Sequence, residues 1–205
     1  MTTIGQDESC TTRTDLGSRA PLRPADLWAR GGESGYEATR VAPRPGGFDP
    51  AVCTATLPPT PDCELTFPWA DIGDDDLALA TGARSVLSGR AYARLAESSD
   101  AVGGTASLLY TVLDFGSSPD LVPAAYGWYA SAVRRCGSGR PGEIGGVFGL
   151  LGAGHRPTLL PTVPGRFLVT QDTSHVVVLV FEGGAWSDSS RAAAARRALP
   201  LLTAS

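Results

Sequence analysis

The 205-residue chain is long enough for one full hydrophobic core, since a domain of this size buries roughly 70% of the surface its unfolded chain exposes. Its 17 Arg and 21 acidic residues give a formal net charge of −4 with no basic stripe, which argues against a nucleic-acid groove. No apolar run approaches the roughly 20 residues that span a bilayer, and the opening "MTTIGQDESC" is too polar for a signal sequence, so export would need a signal upstream of Met1.

Residues 1–20 are polar and aperiodic and read as a flexible arm before a single domain over 21–205. "RPADLWARGG" (23–32) suits a short helix, with Pro24 in its first turn and Gly31 past its end. From 41 to 76, Pro, Gly and Asp dominate, and irregular structure held by cysteines is expected. "RSVLSGRAYARLAE" (84–97) alternates loosely and reads as one strand or a kinked pair. "TASLLYTVLDF" (105–115) is apolar on both parities, the pattern of a well-covered strand. "SSPDLVPAAYGWYASAVRRC" (117–136) switches to the helical period: Leu121, Ala125, Trp128, Tyr129, Ala132 and Cys136 form one stripe, with Ser117 or Ser118 as cap and Gly137 as stop.

A glycine-rich loop is expected from 137 to about 164. "GRFLVTQ" and "HVVVLVFEG" then make two strands joined by a turn at 172–174, and "SDSSRAAAARRALPLL" (187–202) makes a helix that Pro200 ends. Strand, strand, helix therefore occurs twice. The fold class that follows is α+β, an antiparallel or mixed sheet with its helices packed over one face.

Cys10, Cys53, Cys63 and Cys136 contain no C-x-x-C pair and lie far in sequence from both histidines, so neither a zinc site nor any other metal or cofactor is expected. Two disulfides are preferred over four buried thiols, and they imply an oxidising, extracytoplasmic compartment. Of the three possible pairings, Cys53–Cys63 is favoured because the two bracket the proline-limited "TATLPPTPD"; Cys10–Cys136 would then tie the arm to the end of a helix.

Several stretches hint at chemistry. Asp172, Ser174 and His175 supply the side-chain types of a hydrolase triad within four positions, but neighbouring strand residues diverge, and Asp and Ser in a tight turn serve the local backbone. "GSGRPG" (137–142) matches a dinucleotide fingerprint formally, yet it follows a helix where the motif must precede one. "DIGDDD" (71–76) gathers four carboxylates without EF-hand spacing and reads as a solvated acidic loop. "EIGGVFGLLGAGHRP" (143–157) reads either as an ordinary covering loop or short helix capping the sheet, or functionally as a lid with an apolar underside that includes Phe148 and Leu151 and a cationic tip, His155 and Arg156; Trp69, like Trp28, is core or cleft wall.

Residues 84–136, and more loosely 165–203, resemble the extracellular sensor domain of PknH-type actinobacterial serine/threonine kinases, which is shared with secreted lipoproteins of those bacteria. The resemblance lies in "SVLSGRAYARL", the strand "ASLLYTVLDF", the helix ending "RRCGSGR", and "HVVVLVFEG" before an Ala-rich helix; "PLRPADLWARGG" is similar to the family's opening helix. It implies an α+β domain outside the membrane, braced by two disulfides, with a cleft for an unidentified ligand and no catalytic residues. The chain departs from the family in one respect: the family's helix-ending cysteine pairs shortly before the last strands, and "GRFLVTQDTSH" has no cysteine.

The leading expectation is a non-enzymatic, extracytoplasmic, ligand-binding or sensor-like domain for a small or amphipathic ligand, lipid-tethered, if at all, outside this sequence, with Trp69, Phe148, Leu151, His155 and Arg156 as candidate contacts. The competing class is a small hydrolase or biosynthetic cyclase with His155 or His175 as general base, and a third is a protein-interaction module with no pocket. The first two are separated by whether a histidine lines the largest cavity beside an acid.

Overall fold

Val176 to Phe181, six apolar residues in a row, lie at the centre of the molecule and are each at most 5% exposed in the computed structural model. The structure describes residues 10–28, 32–46, 49, 51–57, 72–95, 104–137, 149–151 and 167–204, with backbone alone for 132–137 and 149–151. The elements in chain order are β1 (Thr11–Asp15), α1 (Pro24–Leu27), β2 (Ser34–Pro43), α2 (Asp74–Thr81), β3 (Ser85–Leu95), β4 (Gly104–Asp114), α3 (Val122–Gly137), β5 (Gly149–Leu151), β6 (Phe167–Gln171), β7 (His175–Glu182) and α4 (Asp188–Leu202). One seven-stranded sheet runs β1-β2-β3-β4-β7-β6-β5, antiparallel throughout except for the parallel β5–β6 edge.

The fold is α+β with a mixed sheet, and both strand-strand-helix units are present: β3-β4-α3 and β6-β7-α4. The helices are not confined to one face, which corrects that part of the sequence reading. α1 and α4 cover one face, where Leu27, Ala195, Ala198 and Leu202 pack on Leu87, Leu108, Tyr110, Val177 and Leu179. α2 and α3 cover the other, where Leu77, Ala78, Val122 and Tyr129 pack on Val86, Leu113, Val169, Val176 and Val178. The cause is the unbroken apolar run of β7, whose alternate side chains point to opposite faces. A single helical layer would leave Val176, Val178 and Val180 in water, at a cost of roughly 1.5 kcal/mol or more each.

β1 takes up Thr11–Asp15, so the arm expected over residues 1–20 is sheet there. The irregular stretch expected over 41–76 is likewise entered by the end of β2 and by the start of α2. Asp74, Asp75 and Asp76 form the first turn of α2, where carboxylates favour the positive helix end, and Gly82 at φ 70° stops the helix; these acids are not a loop. β3 is one continuous strand. β5 interrupts the loop expected over 137–164. The helix after β4 opens with a 3₁₀ turn, Pro119–Leu121, and Ser118 makes no side-chain capping bond. α4 is capped as expected, with Ser187 Oγ accepting from the Ser190 N–H. It runs through Pro200 to Leu202, whose side chain is fully buried, so the proline sits in the last turn without ending it.

Cys10 and Cys53 form a disulfide with Cα atoms 5.5 Å apart. This corrects the favoured pairings Cys53–Cys63 and Cys10–Cys136. The β1–β2 ladder carries Cys10 beside Arg44, whose N–H donates to the Cys10 carbonyl at 3.1 Å. Beyond β2, Asp49 nucleates a turn, accepting from the Ala51 N–H at its side chain and from the Cys53 N–H at its carbonyl, and the turn brings Cys53 back. Cys63 lies outside the described residues, and only the backbone of Cys136 is described.

Candidate functional site

The sheet twice accommodates a tyrosine by placing a glycine opposite it. Gly89 faces Tyr110 and Gly35 faces Tyr92 in register, on opposite faces. A Cβ at Gly89 would overlap the Tyr110 hydroxyl and come within 2.6 Å of the Glu37 carbonyl, and a Cβ at Gly35 would lie 2.5 Å from the Tyr92 hydroxyl. Each ring therefore lies across its neighbouring strand, a cross-strand pairing that fixes register. Tyr110 belongs to the buried α4-side core, and Tyr92 lies on the face that α2 and α3 cover only in part.

On that partly open face the strands present polar side chains at every second position. Asp15, Thr39, Ser88 and Thr111 make one cross-strand row, Glu37, Arg90 and Leu109 the next, Gly35, Tyr92 and Ser107 the next, and Arg94 with Thr105 the last. Two cavities open over these rows. One of about 680 Å³ is lined by Glu33, Glu37, Arg90, Tyr92, Arg94 and Thr105 among others. The other, of about 630 Å³, is lined by Arg13, Asp15, Glu37, Ser88, Arg90 and Leu109 among others. They meet at Glu37 and Arg90.

Arg90 is held in place. Its Nη2 donates to Ser107 Oγ at 3.0 Å, its guanidinium carbon lies 5.5 Å from the centre of the Tyr92 ring, and its Nε is buried without a hydrogen-bond partner among the described residues. Glu37 is its direct Cα partner across β2–β3, yet the two form no ion pair. At the α2 end, Ser88 Oγ donates to Asp74 Oδ1 at 2.6 Å, and Thr11 Oγ1 donates to Asp75 Oδ1 at 2.9 Å. Burial raises the Asp74 pKa, against the Ser88 hydrogen bond and the charge of Arg13, with Asp75 adding to the rise. The Tyr129 phenol, fully buried, is also pushed up, first by burial and then by the charge of Asp74.

A second cluster lies where the end of β4 meets the start of β7. Asp172 Oδ1 accepts from the backbone N–H of Ser174 at 2.8 Å and of His175 at 2.7 Å, the turn chemistry expected from sequence. The His175 ring also turns back: Nδ1 is 3.0 and 3.1 Å from the two Asp172 oxygens, and Nε2 is 4.0 Å from Asp114 Oδ1. Asp114 in turn accepts from Arg84 Nε at 3.2 Å. The Asp–His contact, absent from the sequence reading, could have been suspected from the three-residue spacing across a turn. Ser174 contributes its carbonyl to the Phe115 N–H at 2.8 Å and takes no part in a triad. A cavity of about 270 Å³ beside α4 is lined by Asp172 and not by His175.

Neither of the two large cavities is lined by His175. Trp69, Phe148, His155 and Arg156 lie outside the described residues, and Leu151 is described by backbone alone, as the last residue of β5 opposite Thr170. Trp28 is core: its ring centre is 5.6 Å from that of Trp186, which packs edge-on against Phe181. Among the described residues, no group of three or more His, Cys, Asp and Glu side chains could hold a metal ion, and no helix is long and apolar enough to cross a membrane. Sequence reasoning missed the groove because its residues alternate along four strands; the signal was the polar parity of Ser88, Arg90, Tyr92 and Arg94 within "SVLSGRAYARL". No protein-family model, curated protein or solved structure matches the chain.

Proposed function

We propose that this chain is an extracytoplasmic, sensor-like domain that binds a small ligand without transforming it, using the groove over β1–β4, in keeping with its resemblance to the PknH-type sensor domains. The observation that carries this is the placement of Arg90 and Glu37 at the junction of two large cavities, on rigid strands, with neither charge neutralised by the other. Sites built on strands hold their groups more closely than sites on loops. The Cys10–Cys53 disulfide supports an oxidising compartment.

The enzyme reading draws its support from the hydrogen bond between His175 and Asp172, since a general base is commonly oriented by a carboxylate. Against it, His175 Nε2 faces a second carboxylate, Asp114, and the ring lines neither large cavity. A thermal-shift screen of the oxidised protein against small molecules of several charge types tests the binding reading. A ligand at a hundred times its Kd stabilises by about 2.7 kcal/mol, a readily measured rise. If no compound shifts the melting temperature, or if a hit is chemically converted, the reading fails.

A further inference from the structure

Among the described residues, six charged side chains line the groove: Arg13, Asp15, Glu33, Glu37, Arg90 and Arg94. No two of them form an ion pair. Among the described residues, each cavity holds two arginines and two acids: Arg90 and Arg94 with Glu33 and Glu37 in one, Arg13 and Arg90 with Asp15 and Glu37 in the other. A ligand of one sign would find as many repelling groups as attracting ones. A ligand carrying both signs is matched at both ends.

We infer that the groove binds a zwitterion of the amino-acid or short-peptide class, its carboxylate on Arg90 and its ammonium on Glu37. The inference rests on the ligand-binding reading above and names the ligand chemistry for that site. Arg90 suits the carboxylate because a guanidinium offers a planar fork of donors, and Ser107 Oγ and the Tyr92 ring hold it before any ligand arrives. Glu37 is exposed and stands directly across the ladder on the same face, where facing Cβ atoms in an antiparallel pair are about 5 Å apart. The two head groups are nevertheless more than 4.0 Å apart, since no salt bridge links them. A zwitterion entering between them would complete both pairs at once. Gly35 is part of the device, for only a residue without Cβ lets Tyr92 lie across β2 as the floor beneath Arg90.

The test uses the full oxidised chain and the dipeptide L-alanyl-L-tyrosine in four forms: free, N-acetylated, C-amidated and doubly blocked. Calorimetric titration is expected to show the free form binding at least about tenfold more tightly than either singly blocked form, with the doubly blocked form weakest. Glu37→Gln is expected to erase the preference for the free amine while keeping the preference for the free carboxylate, and Arg90→Gln to do the reverse. Arg90→Lys, which keeps charge but loses the fork, should fall between. Urea midpoints of the variants separate lost binding from lost fold. Equal affinity for all four forms, or variants that weaken all four alike while staying folded, would overturn the inference. So would no binding of any form at millimolar concentration; a hit of another charge type in the broader screen would then preserve the binding reading alone.

Discussion

Replacing both Cys10 and Cys53 by Ser removes a cross-link that closes a segment of 43 residues. Chain-entropy reasoning for a loop of that length gives about 4 kcal/mol of lost stability, through a freer unfolded chain. The enclosed segment carries β1, α1 and β2, and α1 seals the α4 side of the sheet: Leu22 and Leu27 are buried there, and Arg197 Nη1 donates to the Leu27 carbonyl at 2.9 Å. β1 itself contributes little burial, with four of its five residues exposed, so the cross-link supplies much of what holds this end. For a chain of this size, about 4 kcal/mol corresponds to a fall in melting temperature of about 8–16 °C. The double replacement is needed because a single one would free a thiol to exchange with Cys63 or Cys136. Urea titration of both proteins gives the measurement, and unreduced peptide mapping should yield a linked Cys10–Cys53 pair. A stability change under about 1 kcal/mol, or a mapped Cys53–Cys63 link, refutes the reasoning.

Other perturbations are as specific. Gly89→Ala should cost about 2–3 kcal/mol in urea unfolding, because the new methyl collides with the Tyr110 hydroxyl and crowds the Glu37 carbonyl, and neither is free to withdraw. Asp74→Asn should stabilise the fold slightly at pH 7: burial raises the folded pKa of Asp74, so its favourable contribution is present below the ordinary carboxylate pKa and is lost as pH rises through the raised value. The advantage of the amide, which still accepts from Ser88 Oγ, should vanish below about pH 4 in melting curves recorded against pH. His175→Ala should cost about 1 kcal/mol through the lost contact to Asp172 while leaving ligand affinity unchanged in titration; a large loss of affinity without unfolding would favour the enzyme reading. Ser187→Ala should cost about 1 kcal/mol by uncapping α4, seen as a lower urea midpoint.

The elements with a strong period were legible in the chain. Tyr129 and Ala125 fall on the stripe that marks α3, and Val176 to Phe181 can only be a strand or a buried helix segment, which the flanking turn at Asp172 decides. β1 and β2 were not legible, because Thr, Arg and Glu on a strand with one solvated face carry little apolar signal; only Ala38 and Val41 of β2 are buried. α2 was hidden by its own first turn, where three aspartates stabilise a helix end yet read as a loop. The two-sided helical cover was written in the doubled parity of "HVVVLVFEG" and "TASLLYTVLDF", and the error lay in not following that parity to a second layer. Disulfide connectivity was beyond sequence, since it depends on the β1–β2 ladder carrying Cys10 to where Cys53 turns back.

The pairing of Leu108 with Phe181 joins positions 73 residues apart, and every row of the β4–β7 seam is comparably remote. Such distant closure slows folding and leaves earlier segments exposed in the meantime. A nascent chain of this kind must keep β4 unpaired on one side until β7 has been synthesised, and the surface later capped by α4 uncovered until α4 has followed. A chain cut short before β7 would present β4 as an oily, adhesive border, and aggregation, rather than a smaller stable domain, is the outcome that topology dictates.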